Sequence, residues 1–237
     1  METTKLSKAK KLSYFAILTA IVLILQFTGS AIKIGAVTLN FVLIPIVLCG
    51  ILLGWVYGAL MGFIVGLVVL LSGVIGMDGF TNVLFAENPI IITLVCILKT
   101  TLAGAVGALV YKAFPKKREY LGTVVSAASV PVVNTGVFIL GMLLMKNALV
   151  KSGFIDGGTS ALYGICVGIA GINFVFEFLL NIILAPAIYK VIQVVGKSLG
   201  KNDYTEEQEA AEKSDEQTEN EYENGYLTED KTDEKGE

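Results

Sequence analysis

Histidine is absent from the 237 residues. That removes the usual zinc ligand, the usual general base near neutral pH, and every Ser-His or Cys-His dyad. Charge is scarce too, at 16% of residues against 54% hydrophobic, so an ordinary soluble domain is a poor description. Cysteine is limited to Cys49, Cys96 and Cys166, each alone in an apolar run with no CxxC pair and no second ligand type beside it. They read as small buried hydrophobes. No GxxxxGK[ST] loop occurs, so ATP is not bound through a P-loop and any ATP-driven work has to come from a partner. No metal, cofactor or nucleic-acid partner is expected, and an enzyme reading loses its main support.

What the chain does have is long apolar runs. Six stretches stand out, at 12–29, 40–54, 58–75, 89–111, 120–145 and 163–189. At about 20 residues per crossing, four fit comfortably and the second and third are short. Only Gly54, Trp55, Val56, Tyr57 and Gly58 separate those two, which predicts a tight helical hairpin, since one continuous helix would far exceed a single span. The first stretch follows Lys5, Lys8, Lys10 and Lys11 as a signal peptide would. Its apolar region is longer than a usual h-region and no A-x-A pattern follows, so an uncleaved helix is expected. The expectation is an all-α membrane protein: a cytoplasmic segment 1–11, a compact bundle of six transmembrane helices over 12–195, and an acidic tail at 202–237.

The loops set the orientation. With the N-terminus inside, the inner side collects eleven basic residues, including Lys112, Lys116, Lys117, Arg118, Lys190, Lys197 and Lys201, while the outer side holds Lys33, Lys146 and Lys151. The positive-inside rule then places both termini in the cytoplasm and the chain in the cell membrane as a multi-pass protein in contact with lipid. The formal net charge of −3 hides a division: residues 202–237 carry fifteen acidic and three basic side chains. With almost nothing apolar there, this tail is expected to be disordered.

Gly50, Gly54, Gly58, Gly62 and Gly66 recur at four-residue spacing, and Ala103, Gly104, Gly107 and Ala108 repeat the device on the fourth helix, as do Gly164 and Gly168 on the sixth. Small residues in a stripe let helix backbones approach closely where no hydrophobic effect joins them. On the sixth helix Asn173, Glu177 and Asn181 share one face. On the fifth, Asn134 lies at mid-depth, and Pro131 frees a backbone carbonyl. Lys99 lies about ten residues into the fourth. Polar groups at such depth face protein or water, so helices four to six can converge on one pocket. Lys99 and Glu177 either form a structural ion pair or contact a polar solute. The outer connections are long enough to act as lids, with Asp78, Asn82, Glu87 and Asn88 as candidate contacts.

Six short helices with both ends inside, together with Ala16-Ile17-Leu18-Thr19-Ala20 on the first, resemble the substrate-binding S component of energy-coupling factor (ECF) vitamin transporters. The segments Asn40-Phe41-Val42-Leu43-Ile44-Pro45, Pro131-Val132-Val133-Asn134-Thr135-Gly136, and Gly171-Ile172-Asn173-Phe174 through Asn181 to Pro186 look like those of the riboflavin- and pantothenate-type branch. The likeness covers about residues 8–195 and leaves out the acidic tail. It implies a bundle that captures a vitamin or precursor outside and delivers it inward with a transmembrane coupling subunit and two cytoplasmic ATPases. The coupling subunit would meet Ala16 and Ala20, and Lys99, Asn134, Asn173, Glu177, Asn82 and Asn88 would serve the solute. The alternative is a stand-alone proton-coupled carrier using Glu177. The solute stays open: a lone Lys99 suits a carboxylate such as pantothenate, whereas neutralisation by Glu177 suits a neutral heterocycle such as riboflavin.

Overall fold

The computed structural model describes residues 8–29, 33–34, 37–38, 41–158 and 160–198; the acidic tail lies outside them. Helix α1 (Lys8–Gly29) leads to a two-rung antiparallel ladder, β1 (Lys33–Ile34) with β2 (Val37–Thr38). Helices α2 (Leu43–Leu53), α3 (Trp55–Val74), α4 (Gly79–Glu87) and α5 (Pro89–Lys112) follow. A 3-10 turn (Lys116–Arg118) then precedes α6 (Glu119–Leu144) and α7 (Lys146–Lys151). Last come α8 (Ala161–Tyr163), a π-helical stretch (Gly164–Gly171) and α9 (Ile172–Ser198). The whole bundle lies in the compact unit Ser7–Gln193; of the other unit, only the last residues of α9 are described.

Among the described residues, five helical segments are long and apolar enough to cross a membrane, at Ala9–Thr28, Trp55–Val74, Pro89–Lys112, Lys116–Leu144 and Ala161–Lys197. The second expected span, α2, has 11 residues, about 16 Å of rise, and covers only part of a hydrocarbon core by itself. The third, expected to be short, has 20 residues. The surface is the inverse of a soluble protein's: Ile90, Leu140 and Ile183 are 72%, 65% and 71% exposed. Such apolar exposure is stable against lipid tails.

The hairpin joining α2 to α3 turns at one residue rather than five. Gly54 adopts φ 108°, ψ 170°, accepts the N–H of Gly58 and donates to the carbonyl of Gly50. A side chain is strained at that φ, so Gly54 is the turn and not part of the packing stripe. The other stripe glycines behave as expected. A Cβ on Gly58 would lie 2.6 Å from the carbonyl oxygen of Gly104, one on Gly66 the same distance from that of Cys96, and one on Gly62 against that of Thr100. Each step of four along α3 matches a step of four back along α5, the signature of an antiparallel backbone-to-backbone seam. Thr100 Oγ1 closes it by donating to the Gly62 carbonyl at 2.6 Å.

Helix α5 is also flanked by α2 and α6. Gly50 of α2 faces Ala108, and Ser126 Oγ of α6 donates to the Gly107 carbonyl at 2.7 Å, while Val95 fills the space beside Gly141. Helix α1 lies outside this core against α3, through the rings of Phe15 and Tyr57 (5.7 Å) and the Thr19 hydroxyl on Met61 Sδ (3.8 Å). The glycine pair expected to pack on the sixth span fails at Gly168, where a Cβ would meet nothing within 4 Å. The local structure there is π-helical, which moves side chains off the four-residue repeat. In keeping with i→i+5 geometry, the Cys166 carbonyl oxygen lies 2.7 Å from where a Gly171 Cβ would stand.

The seam makes a contrast that thermal unfolding in detergent can read. Gly58→Ala and Gly62→Ala are each expected to destabilise by about 1–3 kcal/mol through overpacking, whereas Gly136→Ala, whose Cβ meets nothing within 4 Å, leaves the midpoint unchanged or raised. Equal behaviour of the three variants would contradict the close-packed α3–α5 interface.

Candidate functional site

Where α4 and α7 cap the bundle, Leu84, Ile92, Val95, Met142, Met145, Leu149, Ile155 and Ile165 form a buried apolar cluster. On it rests a chain of rings: Phe80 of α4 lies 4.8 Å from Phe154 and 6.0 Å from Phe138 of α6, centroid to centroid. Lys99 Nζ stands 5.4 Å from the Phe138 centroid, within the range of a cation–π attraction. Among the described residues there is no Lys99–Glu177 ion pair; the recorded pair joins Lys151 to Glu87 at 2.8 Å. The structural ion pair left open by the sequence is therefore replaced by an ammonium on an aromatic face.

Depth along the bundle can be counted from the antiparallel contacts. Residues 107 and 95 of α5 face 126–130 and 141 of α6, which sets Lys99 opposite residue 137. The rings of Tyr120 and Tyr189 meet at 5.3 Å, and counting back from that pair sets Asn173 level with residue 136. Lys99, Asn173, Phe138 and Asn134 thus fall within about four residues of rise, or roughly 6 Å. Asn181 lies some eight residues further from α4, about 12 Å deeper. The inward face of α9 is marked by Asn181, Ala185, Ile188 and Ile192, all buried. Glu177, half-buried one turn before Asn181, sits on that face.

The amides carry unmet hydrogen-bonding capacity. Oδ1 of Asn134, Asn173 and Asn181 is buried without a hydrogen-bond partner, and Asn134 is only 5% exposed. Asn181 is tied locally, its Nδ2 donating to the Glu177 carbonyl at 2.8 Å. A buried carbonyl left unmatched costs about 1–3 kcal/mol, so these positions are poor choices for packing alone and good ones for receiving donors.

The four candidate lid residues are placed in local structural roles. Asp78 caps α4, accepting the N–H of Phe80 (3.2 Å) and the hydroxyl of Thr81 (2.6 Å). Asn82 donates to the Gly73 carbonyl at 2.9 Å, and Asn88 caps α5 by accepting the N–H of Ile91 at 3.1 Å ahead of Pro89. Glu87 holds Lys151. They fix α4 over the cluster, and their recorded bonds run to protein. The aromatic set Phe80, Phe138 and Phe154 was not singled out from the sequence. Phe138 lies one helical turn after Asn134, so the i, i+4 rule applied to that asparagine would have found it.

A bundle with five helical segments of membrane-crossing length and composition among its described residues is that of a multi-pass membrane protein. The model of the family described as ECF transporter, substrate-specific component matches residues 10–189, and the chain belongs to that family. The family is that of a transporter's substrate-specific component. Comparison with individually curated proteins returns no match.

Asn134→Leu is expected to raise the unfolding midpoint of solute-free protein, by an amount corresponding to about 1 kcal/mol, because an unmatched carbonyl leaves the interior. Solute retention should be lost in the same variant. Thermal unfolding paired with analysis of co-purifying small molecules would check both halves; retained solute would return Asn134 to a packing role.

Proposed function

We propose that the chain captures a vitamin or vitamin precursor on the outer side of the cell membrane and passes it inward with an ECF coupling subunit and two ATPases. The observation that carries this reading is the grouping of Lys99 with the unmatched amides of Asn134 and Asn173 at one depth, beneath α4 and α7. A cation and buried acceptors at one depth suit a small polar solute. Lys99, Asn134, Asn173 and Glu177 contact the solute, while Asn82 and Asn88 act by holding the α4 cap in place.

Helix α1 offers the surface for the coupling subunit. Its buried residues, Leu18 and Val22, point into the bundle, whereas Ala16 and Ala20 are exposed on the opposite side. Small side chains there permit a second helix to approach closely. The basic residues at 112–118 and 190–197 then lie on the cytoplasmic side.

Ala16→Trp or Ala20→Trp should abolish ATP-dependent uptake of riboflavin or pantothenate by liposomes holding the chain with its coupling subunit and ATPases. Binding by the isolated chain should be retained. Loss of binding equal to the loss of uptake would count against this face, and uptake by the chain alone under a pH gradient would replace the reading with a proton-coupled carrier.

A further inference from the structure

We propose that the end of the bundle where α5 turns into α6 is a binding surface for an anionic phospholipid, whose phosphate headgroup is held by Lys112, Lys116, Lys117, Arg118 and Lys190. Neither the identity of the solute nor the uptake reading enters into it.

Three observations lead there. The first is a concentration of charge without counter-charge. Lys112, Lys116, Lys117 and Arg118 fall within seven residues and are all exposed. Lys190, exposed as well, joins them because the rings of Tyr120 and Tyr189 meet at 5.3 Å, which brings the residue after Tyr189 to the start of α6. Among the described residues none of the five has an ion pair. The neighbouring acid is turned aside, since Glu119 Oε1 accepts the Tyr111 hydroxyl at 2.5 Å. The α4 end has no such surplus: Lys151 is paired with Glu87, and Lys146 shares that end with Asp78 and Asp156.

Second, the turn is too short to carry these cations away from the membrane surface. Six residues separate Lys112 from Glu119. Phe114 folds back onto α6, its Cβ 3.0 Å from where a Gly122 Cβ would stand, and the Arg118 N–H donates to the Pro115 carbonyl at 2.8 Å. The chain reverses within one 3-10 turn, so the cations stay at the level where the helices end. Third, rings mark that level as a membrane–water boundary. Tyr120 is 49% exposed and Trp55 52%. Gly58 faces Gly104 across the α3–α5 seam, and counting back along α3 sets Trp55 level with residue 107, about 7.5 Å inside Lys112. Amphipathic rings gather at headgroup depth, and the long stems of lysine and arginine carry their charge outward from it. The anions at that depth are lipid phosphates, which both side chains bind through charge-assisted hydrogen bonds. A soluble anion has to reach this surface from water, whereas headgroups already surround it.

Native mass spectrometry of the full-length protein in a neutral detergent tests this with three probes. These are phosphatidylglycerol, phosphatidylcholine with the same acyl chains, whose headgroup carries its own cation, and glycerol 1-phosphate, which has the phosphate without the chains. At an ionic strength of about 0.1 M, phosphatidylglycerol is expected to bind at least about tenfold more tightly than phosphatidylcholine, since each cation beside an anionic headgroup is worth about fivefold before screening. Combining Lys116→Gln, Lys117→Gln and Arg118→Gln should erase that preference, and Lys146→Gln at the α4 end should keep it. Lys116→Arg with Lys117→Arg should keep it too, because charge carries the effect. The wild-type comparison of the two lipids stands without any variant, so a misfolded triple variant leaves the test intact. Equal binding of the two lipids, or a preference that survives in the folded triple variant, overturns the proposal. Glycerol 1-phosphate binding as tightly as phosphatidylglycerol overturns it in favour of a soluble phosphate ligand.

Discussion

The seam between α3 and α5 is the constraint on which the rest of the bundle depends. Inside a membrane, helices gain nothing from hiding apolar surface from one another, so association rests on close van der Waals contact and interhelical hydrogen bonds. Gly58, Gly62 and Gly66 bring the α3 backbone onto the carbonyls of Gly104, Thr100 and Cys96, and Thr100 bonds across to the Gly62 carbonyl. With α5 held so closely on one side, its other faces are fixed against α2 and α6, and the position of Lys99 relative to Phe138 follows.

The two kinds of interior in this bundle have different physical purposes. Small residues and hydroxyls that bond to backbone carbonyls, such as Thr100 and Ser126, satisfy their own polarity and let helices meet. Lys99, Asn134 and Asn173 do not satisfy theirs within the protein's recorded contacts. Unmet polarity in a low-dielectric interior is costly, which is why it marks sites of binding more often than sites of packing. The caps at Asp78 and Asn88 belong to the first kind. Their polarity is spent on shaping α4 and the start of α5, and that shape determines what lies above the cation.

The π-helical stretch Gly164–Gly171 illustrates how local geometry can defeat a sequence pattern. Two glycines four residues apart suggest a packing stripe only if the backbone advances as an α-helix. Here it does not, and Gly168 faces open space while the residues after Gly171 enter α9 with Asn181 buried and Glu177 half-buried on its inward side. The polar face of α9 was nevertheless readable, because Asn173, Glu177 and Asn181 all lie after the π segment, in regular helix.

The sequence alone determined the class of fold, most of the membrane-length helices and the small-residue stripes along which helices pack closely. Each of these follows from hydropathy length or side-chain size at a fixed helical period, both of which are local. Tertiary structure alone decided that Gly54 is a one-residue turn, that α2 is short of a full span, and that Asp78 and Asn88 act as caps. It also decided that Lys99 lies on Phe138 and not against Glu177. Those outcomes depend on which element stands opposite which, and residues 39 positions apart, as Lys99 and Phe138 are, leave no periodic trace of their meeting in the chain.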